Sequence, residues 1–481
     1  MALDTDPRDA RTARLEARVE TALRRAGRLE RWVAELTKGN ADLKRENAEL
    51  RARLNANSQN SSAPPSSDGP GVKRPATKAK GRKRGGQPGH EGAERRLLTP
   101  DRIVHHRPRR CRRCHGGLLG DDPHASKFQV LEMPKIQPDV TEHRAHALTC
   151  GGCGTVTRAT IPARVRRHGF GPRLSAFVAY LSGRCRLSKR QIAELCEDAF
   201  GTPISLGAVC AIEKDVSEAL ASPVKAAAEA VQKQPVVNVD ETGWREEKRL
   251  AWLWVAVTGV AIVFLVARSR GSVAAKELLG KYFRGHAVSD RWGGYNWIAT
   301  SRRQLCWAHL RRDFVGMIER GGIGADIATR LLANTDKMFA WWAQVRDGEI
   351  TRPLFQKRMK RVRGAVSRLL RDARARAEKK TAGMCNEMLL FESALWTFVD
   401  HEGIEPTNNA AERAVRHAVL WRKGSFGNDS AVGSRFTERI LTAVATVRLR
   451  GGDVLGYLTD TCTQYRATGT SPSLLSVPQR G

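Results

Sequence analysis

The chain has 481 residues, 41% of them hydrophobic, so it can build several separate cores rather than one. Its 82 Lys and Arg against 50 Asp and Glu give a formal net charge of +32, which favours a nucleic-acid partner, although a ribosome-like structural role or a membrane-surface role would explain the charge equally well. The N-terminus lacks the apolar core of a secretory signal, and the apolar stretch 251–267 is short for a membrane span and is interrupted by Thr258 and Gly259. We therefore expect a multidomain cytoplasmic protein without a membrane partner.

Residues 10–55 repeat in sevens, which predicts a coiled coil. One heptad position carries Leu15, Ala22, Leu29, Leu36, Leu43 and Leu50, and the other carries Val19, Ala26, Val33, Asn40, Asn47 and Leu54. A single amphipathic helix lying on the protein's own body is the alternative, but a narrow two-position stripe is more typical of a coiled-coil seam. We expect self-association here, with Asn40 and Asn47 favouring a two-stranded register.

Residues 56–100 are rich in Asn, Ser, Pro, Gly and Lys, and they are predicted to form a basic disordered linker because they offer too little apolar surface to fold alone. Residues 72–114 contain fifteen Lys or Arg against three acids. Such a tail is either a solvated flexible arm or, in a protein that handles DNA, a source of salt-sensitive phosphate contacts.

The segment 101–166 contains two CxxC pairs, Cys111 with Cys114 and Cys150 with Cys153. Without a secretion signal the ten cysteines are expected to be reduced, and close pairs then bind metal more often than they form disulfides. Four thiolates complete a tetrahedral structural Zn2+ site, although the 35 residues between the pairs exceed the usual spacing. Four unligated thiols are the alternative. Other ligands available nearby are His105, His106 and His115.

Residues 167–233 have a helical pattern. Ser188 can cap one helix, Gly201 interrupts the pattern, and Ser205 can cap a second helix ending near Glu218. The arrangement resembles a helix-turn-helix. Many helix pairs share it without contacting DNA, so the pattern alone does not decide between a DNA-binding and a packing role.

The next part of the chain, residues 234–311, has the pattern of a sheet. Strands are predicted at residues 236–240, 250–257 and 261–267, a helix at 272–283, and further strands at 286–289 and 304–307. Three antiparallel strands, a helix and a fourth strand beside the first are the order of a ribonuclease-H-like core. Residues 400–449 are expected to complete that core, with a helical insertion at 312–399 and a C-terminal helix and tail at 450–481.

Asp240 and Asp290 follow the first and fourth predicted strands, so their carboxylates are expected to lie side by side. Adjacent carboxylates repel unless a cation separates them, and a pair of Mg2+ ions would relieve this repulsion and support phosphodiester chemistry. A third acid, Glu412, lies at the start of a predicted helix introduced by residues 406–408. Asp is common at strand ends, and Glu412 could simply pair with Arg416 on a helix surface, so each acid alone is weak evidence.

Four motifs resemble those of bacterial insertion-sequence transposases of the IS66 family. They are Asp240-Glu-Thr-Gly-Trp244, Ser289-Asp-Arg-Trp-Gly-Gly-Tyr295, Cys306-Trp-Ala-His-Leu-Arg-Arg312, and Thr407-Asn-Asn-Ala-Ala-Glu-Arg413 followed by Arg422 and Lys423. The resemblance extends to residues 57–68, residues 85–90 and the two CxxC pairs, and so covers nearly the whole chain. It implies a DDE transposase whose acidic triad, Asp240, Asp290 and Glu412, uses Mg2+ or Mn2+.

The same resemblance implies how the chain contacts DNA. Residues 357–380 hold eleven Lys or Arg against two acids, so the helical insertion is expected to grip DNA rather than to be a plain solvated helix. Cys306 and His309 resemble a metal pair, but only two ligands are visible, and a packing or hydrogen-bonding role near the acids is favoured. Further candidates for DNA contacts are Arg413, Arg416, Arg422 and Lys423.

The sequence thus predicts a multidomain α+β protein that binds the ends of an insertion sequence and cuts and joins double-stranded DNA, associated with the nucleoid of a bacterium. Its expected partners are DNA, a second copy of the chain and accessory proteins of the same element. One alternative is a DNA-binding regulator or domesticated transposase without catalysis. Another is a metal-dependent nuclease that resolves structured DNA without joining it.

Overall fold

A computed structural model describes residues 7–54 and 97–477. Most of the predicted linker, together with the motifs at residues 57–68 and 85–90, lies outside these residues. The chain divides into two units, one formed by Met1–Pro75 and Ala308–Leu390 and the other by Ala76–Trp307 and Phe391–Gly481. Among the described residues, every helix is too short or too polar for a membrane span.

The first unit begins with α1 (Pro7–Leu54), a continuous helix of 48 residues. The helix that the heptads predict is therefore present. Between Leu15 and Leu50 its apolar stripe is exposed, with exposed fractions of 58% for Leu29, 59% for Leu36 and 60% for Leu43. Over this range the stripe is therefore not covered by any described residue of the single chain.

The remainder of the first unit is helical. It contains α7 (Trp307–Glu319), α8 (Gly322–Arg346), α9 (Arg352–Arg376) and α10 (Lys379–Leu390). α9 ends at Arg376 because Ala377 is extended, and Glu378 then accepts the backbone N–H of Thr381 in the first turn of α10. One face of α9 is buried between α8 and α10, and basic residues such as Lys357, Arg361 and Arg368 occupy the opposite, exposed face.

The second unit opens with the cysteine-containing segment. Its only regular elements among the described residues are the short antiparallel strands β1 (Ala147–Thr149) and β2 (Val156–Arg158), followed by α2 (Ala163–Arg167). Most side chains of residues 101–160 are exposed. The segment therefore has no apolar core of its own among the described residues.

Next come α3 (Pro172–Tyr180), a π-helical turn (Leu181–Cys185), α4 (Lys189–Phe200) and α5 (Leu206–Gln232). The predicted caps are confirmed, because Ser188 forms a capping box with Gln191 and Ser205 accepts the N–H of Ala208. The predicted end of the second helix near Glu218 is wrong: α5 continues to Gln232 through Pro223, which is buried. Burial of its apolar face offsets the cost of a proline inside a helix, about 3 kcal/mol.

The centre of the second unit is a five-stranded mixed sheet in the order β5-β4-β3-β6-β7. Its strands are β3 (Val236–Glu246), β4 (Arg249–Val257), β5 (Ile262–Ala267), β6 (His286–Ser289) and β7 (Arg303–Leu305). The first three are antiparallel, α6 (Ser272–Leu279) follows them, and β6 then pairs in parallel with β3. This is the order that the sequence predicts.

One detail of the sheet differs from the prediction, because Asp240 does not end its strand. Beyond Asp240, residues 241–246 stay paired with β4, so β3 continues to Glu246 and Asp240 lies in the middle of it. Glu241, Trp244 and Glu246 in this continuation are buried, and the backbone pairing with β4 is unbroken to Glu246. The motif after Asp240 is thus strand rather than loop.

The C-terminal helices complete the second unit. They are α11 (Thr397–Asp400), α12 (Asn409–Ser425), α13 (Ala431–Leu449) and α14 (Val454–Thr468). α13 covers the free edge of β5: Thr446, Thr442 and Glu438 accept the backbone N–H groups of Ile262, Phe264 and Val266. An exposed strand edge is closed in this way.

Candidate active site

Asp240 and Asp290 lie on neighbouring strands at the same level of the sheet. The parallel register of β3 and β6 pairs Val236 with His286 and Asn238 with Val288. Two residues further along, this register aligns Asp240 with Asp290, which directly follows β6. The alignment brings the two acids together as predicted.

The charge around Asp240 shows that the third acid lies near the first two. The pKa of Asp240 is raised well above its usual value, chiefly by burial and then by the negative charges of Glu241, Asp290 and Glu412, against one backbone N–H that lowers it. Three further carboxylates therefore act on this one group. Such crowding favours the neutral acid unless a cation is present.

Glu412 reaches the sheet because the start of α12 is tied to β3. The side-chain amide of Asn408 donates a 2.6 Å hydrogen bond to the carbonyl of Val239, the residue before Asp240. Asn408 occupies the N-cap position but makes no side-chain cap to its own helix. Glu412 then falls in the first turn of α12, where the helix dipole favours a carboxylate.

Cys306 forms a second tie at the start of α12, this time to β6. Its N–H donates to the carbonyl of Ser289 at 2.9 Å, and its buried Sγ accepts the N–H of Asn408 at 3.1 Å. A carboxylate oxygen of Glu412 lies within 4.8 Å of that sulfur. Cys306 therefore links the segment before Asp290 to the helix of Glu412. His309 lies in the first turn of α7 and is partly buried.

The loop after Asp290 is held by a buried arginine, Arg303, that no sequence pattern singles out. Arg303, fully buried, donates to the carbonyls of Asp290 at 2.7 Å and Trp292 at 3.1 Å, and to the side chains of Ser289 and Asn296. The N–H of Trp292 in turn donates to Oδ1 of Asp290 at 2.9 Å. The carboxylate of Asp290 is thus oriented by its own loop.

A second feature missed from the sequence is the network around Glu241. Because side chains alternate along a strand, Glu241 faces away from Asp240 and is buried. It accepts hydrogen bonds from Arg270 at 3.0 Å and from the hydroxyl of Tyr295 at 2.6 Å. The Arg270 guanidinium stacks on the indole of Trp292, with its carbon 3.8 Å from the ring centre. The sequence feature that could have revealed this network is a second acid placed directly after Asp240 in an apolar strand.

The candidate DNA-contacting residues on α12 divide into two groups. Arg413, Arg416 and Lys423 are exposed. Arg422 is half-buried and donates to Thr242 Oγ1 at 3.2 Å and to the carbonyl of Gly243, so it fastens α12 to β3. Burial lowers its pKa.

The two CxxC pairs form separate knuckles. In the first, the N–H of His115 donates to the carbonyl of Cys111, and in the second, the N–H of Gly154 donates to that of Cys150. The pKa values of the Cys111 and Cys153 thiols are lowered by nearby hydrogen-bond donors, the backbone N–H of Cys114 and the Thr155 hydroxyl leading. No three of the four sulfurs in this described segment lie within 4.8 Å of one another. Each CxxC pair therefore forms its own knuckle, and the sulfurs of the two pairs do not come together in one cluster.

Comparison with known proteins defines the class of this chain. The model of the transposase IS66 family matches residues 167–435, more than half of the chain. The chain therefore belongs to the IS66 family of transposases. A family of unknown function, DUF6444, matches residues 4–96.

Two relatives from Sinorhizobium fredii are themselves uncharacterised. Protein y4qI is 25% identical over 238 residues, which are 44% of this chain and 43% of the relative. Protein y4hP is 23% identical over 404 residues, which are 76% of this chain and 72% of the relative. The match to y4qI thus spans less than half of that protein's length.

Proposed function

We propose that this protein is a DDE transposase that binds the ends of an insertion sequence and catalyses metal-dependent cleavage and strand transfer of double-stranded DNA. The observation that carries the proposal is the convergence of Asp240, Asp290 and Glu412 in a chain of the IS66 transposase family. The five-stranded order supports a ribonuclease-H-like core.

The three acids have the ligand chemistry that divalent cations require. Carboxylate oxygens are hard ligands of the kind that Mg2+ and Mn2+ take, and the mutual repulsion at Asp240 is what a cation would relieve. Oδ1 of Asn408 is buried without a hydrogen-bond partner among the described residues, so a further oxygen faces this region. Bound cations would activate the attacking oxygen and stabilise the leaving oxygen.

The chain's own residues position the substrate-facing acids. Asn408 and Cys306 fix the helix of Glu412, while Arg303 fixes the loop of Asp290. The exposed Arg413 and Arg416, one and four residues after Glu412, would hold backbone phosphates beside the acids. This arrangement keeps the three carboxylates in place before the substrate arrives.

A second phosphate-contacting surface is proposed on α9. Lys357, Arg361 and Arg368 are exposed, lie on the face opposite the buried one, and make no ion pair with a described residue. Unpaired cations on one helix face suit a DNA backbone. This supports DNA as the partner of the first unit.

Two further assignments concern assembly and zinc. The exposed heptad stripe of α1 supports self-association with a second copy of the chain through a two-stranded coiled coil. Each CxxC knuckle offers two thiols, and the pKa of one thiol in each, Cys111 and Cys153, is lowered, so we infer that one Zn2+ joins the knuckles and completes the fold of residues 101–166. Accessory proteins of the same element remain proposed partners, and the site of action is the bacterial nucleoid.

A strand-transfer assay tests the function and separates it from its alternatives. Purified full-length protein is incubated with labelled DNA carrying the ends of the element, a target plasmid and Mg2+. Joined products are expected. DNA binding without cleavage would instead identify a regulator or domesticated transposase, and cleavage without joining would identify a nuclease.

A further inference from the structure

Three arginines and a histidine converge where the π-helical turn Leu181–Cys185 packs against α13. Nη1 of Arg184 lies 3.0 Å from Nδ1 of His417, which is on α12. The charges of Arg186 and of Arg448, on α13, act on both of these groups. We call Arg184, Arg186, Arg448 and His417 the basic cluster. It is distinct from the three acids.

The basic cluster is rigidly built. Gly183 is buried so closely against α13 that a Cβ atom there would overlap the side chain of Ile440. The carbonyl of Gly183 also bonds Nε2 of His417 at 3.1 Å. The turn that carries Arg184 is therefore fixed to α12 and α13 at once.

His417 orients Arg184 without adding charge. A guanidinium can only donate, so Nδ1 of His417 must accept from Arg184, and Nε2 must carry the proton that is donated to Gly183. This is the neutral ring. Burial lowers the pKa of His417, as do the three arginines, while the bond to Gly183 opposes the shift.

Arg186 adopts a backbone conformation that favours glycine. Its φ of 62° and ψ of 29° end the π-helical turn in the left-handed region. This conformation ends the turn and is less favourable for a residue with a Cβ than the right-handed one. The side chain of Arg186 adds a third positive charge to the basic cluster.

The positive charge of the basic cluster is not compensated within the described chain. None of the three arginines forms an ion pair with a described carboxylate, and burial together with the charge of Arg448 lowers the pKa of Arg184. Grouped cations repel one another unless an anion joins them. Arginine is also the side chain best suited to phosphate, through its fork of donors.

We propose that Arg184, Arg186 and Arg448 bind the phosphate backbone of duplex DNA, with His417 as the positioning residue for Arg184. The inference rests on the proposed function, which makes DNA the polyanion. His417 and Glu412 are five residues apart on α12, about 7.5 Å along its axis. α12 therefore carries both the third candidate acid and the histidine that positions Arg184.

The test measures DNA affinity of the full-length protein by fluorescence anisotropy across a range of salt concentrations. Arg448→Gln and Arg184→Gln should each weaken binding and reduce the slope of log affinity against log salt by about 0.9, the value for one lost phosphate contact. The matched control is Arg284→Gln, which removes an exposed arginine just before β6, at the opposite end of that strand from Asp290. Its slope should equal that of the wild type.

The outcomes separate this site from the proposed function. Wild-type slopes for both Arg184→Gln and Arg448→Gln would overturn the phosphate site and leave the transposase proposal intact. Absence of salt-sensitive DNA binding by the wild type would overturn both. Arg448 is exposed and makes no described side-chain hydrogen bond, so Arg448→Gln should keep the wild-type unfolding midpoint and remain decisive if Arg184→Gln destabilises the protein.

Discussion

The side-chain amide of Asn408 donates to the carbonyl of Val239, one residue before Asp240. This bond joins the helix that carries Glu412 to the strand that carries Asp240. Its donor is a residue that the sequence marked only as a helix-start signal. The spacing between two of the three acids therefore depends on a group that is not itself an acid.

The first prediction concerns Asn408. Asn408→Ala should cost about 1 kcal/mol of folding free energy and raise the Mg2+ concentration for half-maximal cleavage about 10- to 100-fold, because a group that positions metal ligands is lost. Asn334→Ala, which removes one side-chain bond to a backbone carbonyl in α8, is the control and should leave the Mg2+ requirement unchanged. An unchanged Mg2+ requirement in Asn408→Ala would mean that the bond does not position Glu412.

The second prediction concerns the three acids. Asp240→Asn, Asp290→Asn and Glu412→Gln should each reduce end cleavage and strand transfer to background while DNA affinity stays near that of the wild type, because each swap removes a metal-binding charge with little change in shape. Asp240→Asn should also raise the unfolding temperature in the absence of metal, since it removes a buried charge that three carboxylates oppose. Near-normal cleavage by any one variant would exclude that residue from the triad.

The third prediction concerns Glu438, which caps the edge of β5. Burial raises its pKa to about 7, above the ordinary value of 4.5, against the opposing charge of Arg435. The folded state then binds the proton more tightly than the unfolded state, so this group's contribution to stability is full below about pH 4.5 and is lost as the pH rises to about 7.

The Glu438→Gln variant keeps an acceptor for Val266 and does not titrate. As the pH rises from about 4.5 to about 7, the free energy of unfolding of Glu438→Gln should increase by up to about 3 kcal/mol relative to that of the wild type. Chemical unfolding at several pH values measures the difference, with Glu402→Gln, at an exposed acid outside this network, as control. A constant difference between Glu438→Gln and wild type across this range would contradict the prediction.

The fourth prediction concerns zinc. Full-length protein should contain one zinc ion per chain, and changing Cys111 and Cys150 together to Ser should remove it, because each knuckle then keeps one thiol. Cys185 and Cys210 are also exposed, so their double Ser variant is the matched control and should retain zinc. Elemental analysis of the dialysed proteins measures the zinc content. If the wild-type protein contained no zinc, the four cysteines would be unligated thiols and the proposed site would be wrong.

The order of the sheet was predictable because short apolar runs and the Thr258–Gly259 turn are local signals. The position of Asp240 within its strand was not, since residues 241–246 include Thr, Gly and charged side chains that stay in the sheet through pairing with β4. The length of α5 was missed for a similar reason, because burial of its face overrides Pro223. Contacts between distant segments decided both cases.

The candidate site, too, was predictable from local patterns only in part, because distant contacts decide the rest. Asp240 and Asp290 could be paired from strand order alone, whereas Glu412 needed the family resemblance, since more than a hundred residues separate it from Asp290. No sequence pattern indicated the roles of Arg303 or of the basic cluster. Their roles arise from partners such as Trp292 for Arg303 and His417 for Arg184, which the chain brings close only on folding.

The fifth prediction concerns assembly through α1. Two ends of an element must be cut in a coordinated way, and the exposed stripe containing Leu29, Leu36 and Leu43 offers a means of pairing two chains, with Asn40 and Asn47 setting the register. Changing the three leucines together to Gln should leave the rest of the chain folded, because in the single chain these side chains are more than half exposed. Light scattering should then show a dimer for the wild type and a monomer for the triple variant, and paired-end cleavage should fall much more than binding to a single end.

The control is a triple change to Gln on the same helix but off the two heptad positions, at Glu20, Arg24 and Arg31, and this variant should remain dimeric. Equal masses for the wild type and the leucine variant, with equal pairing of ends, would show that α1 is not the dimerising element.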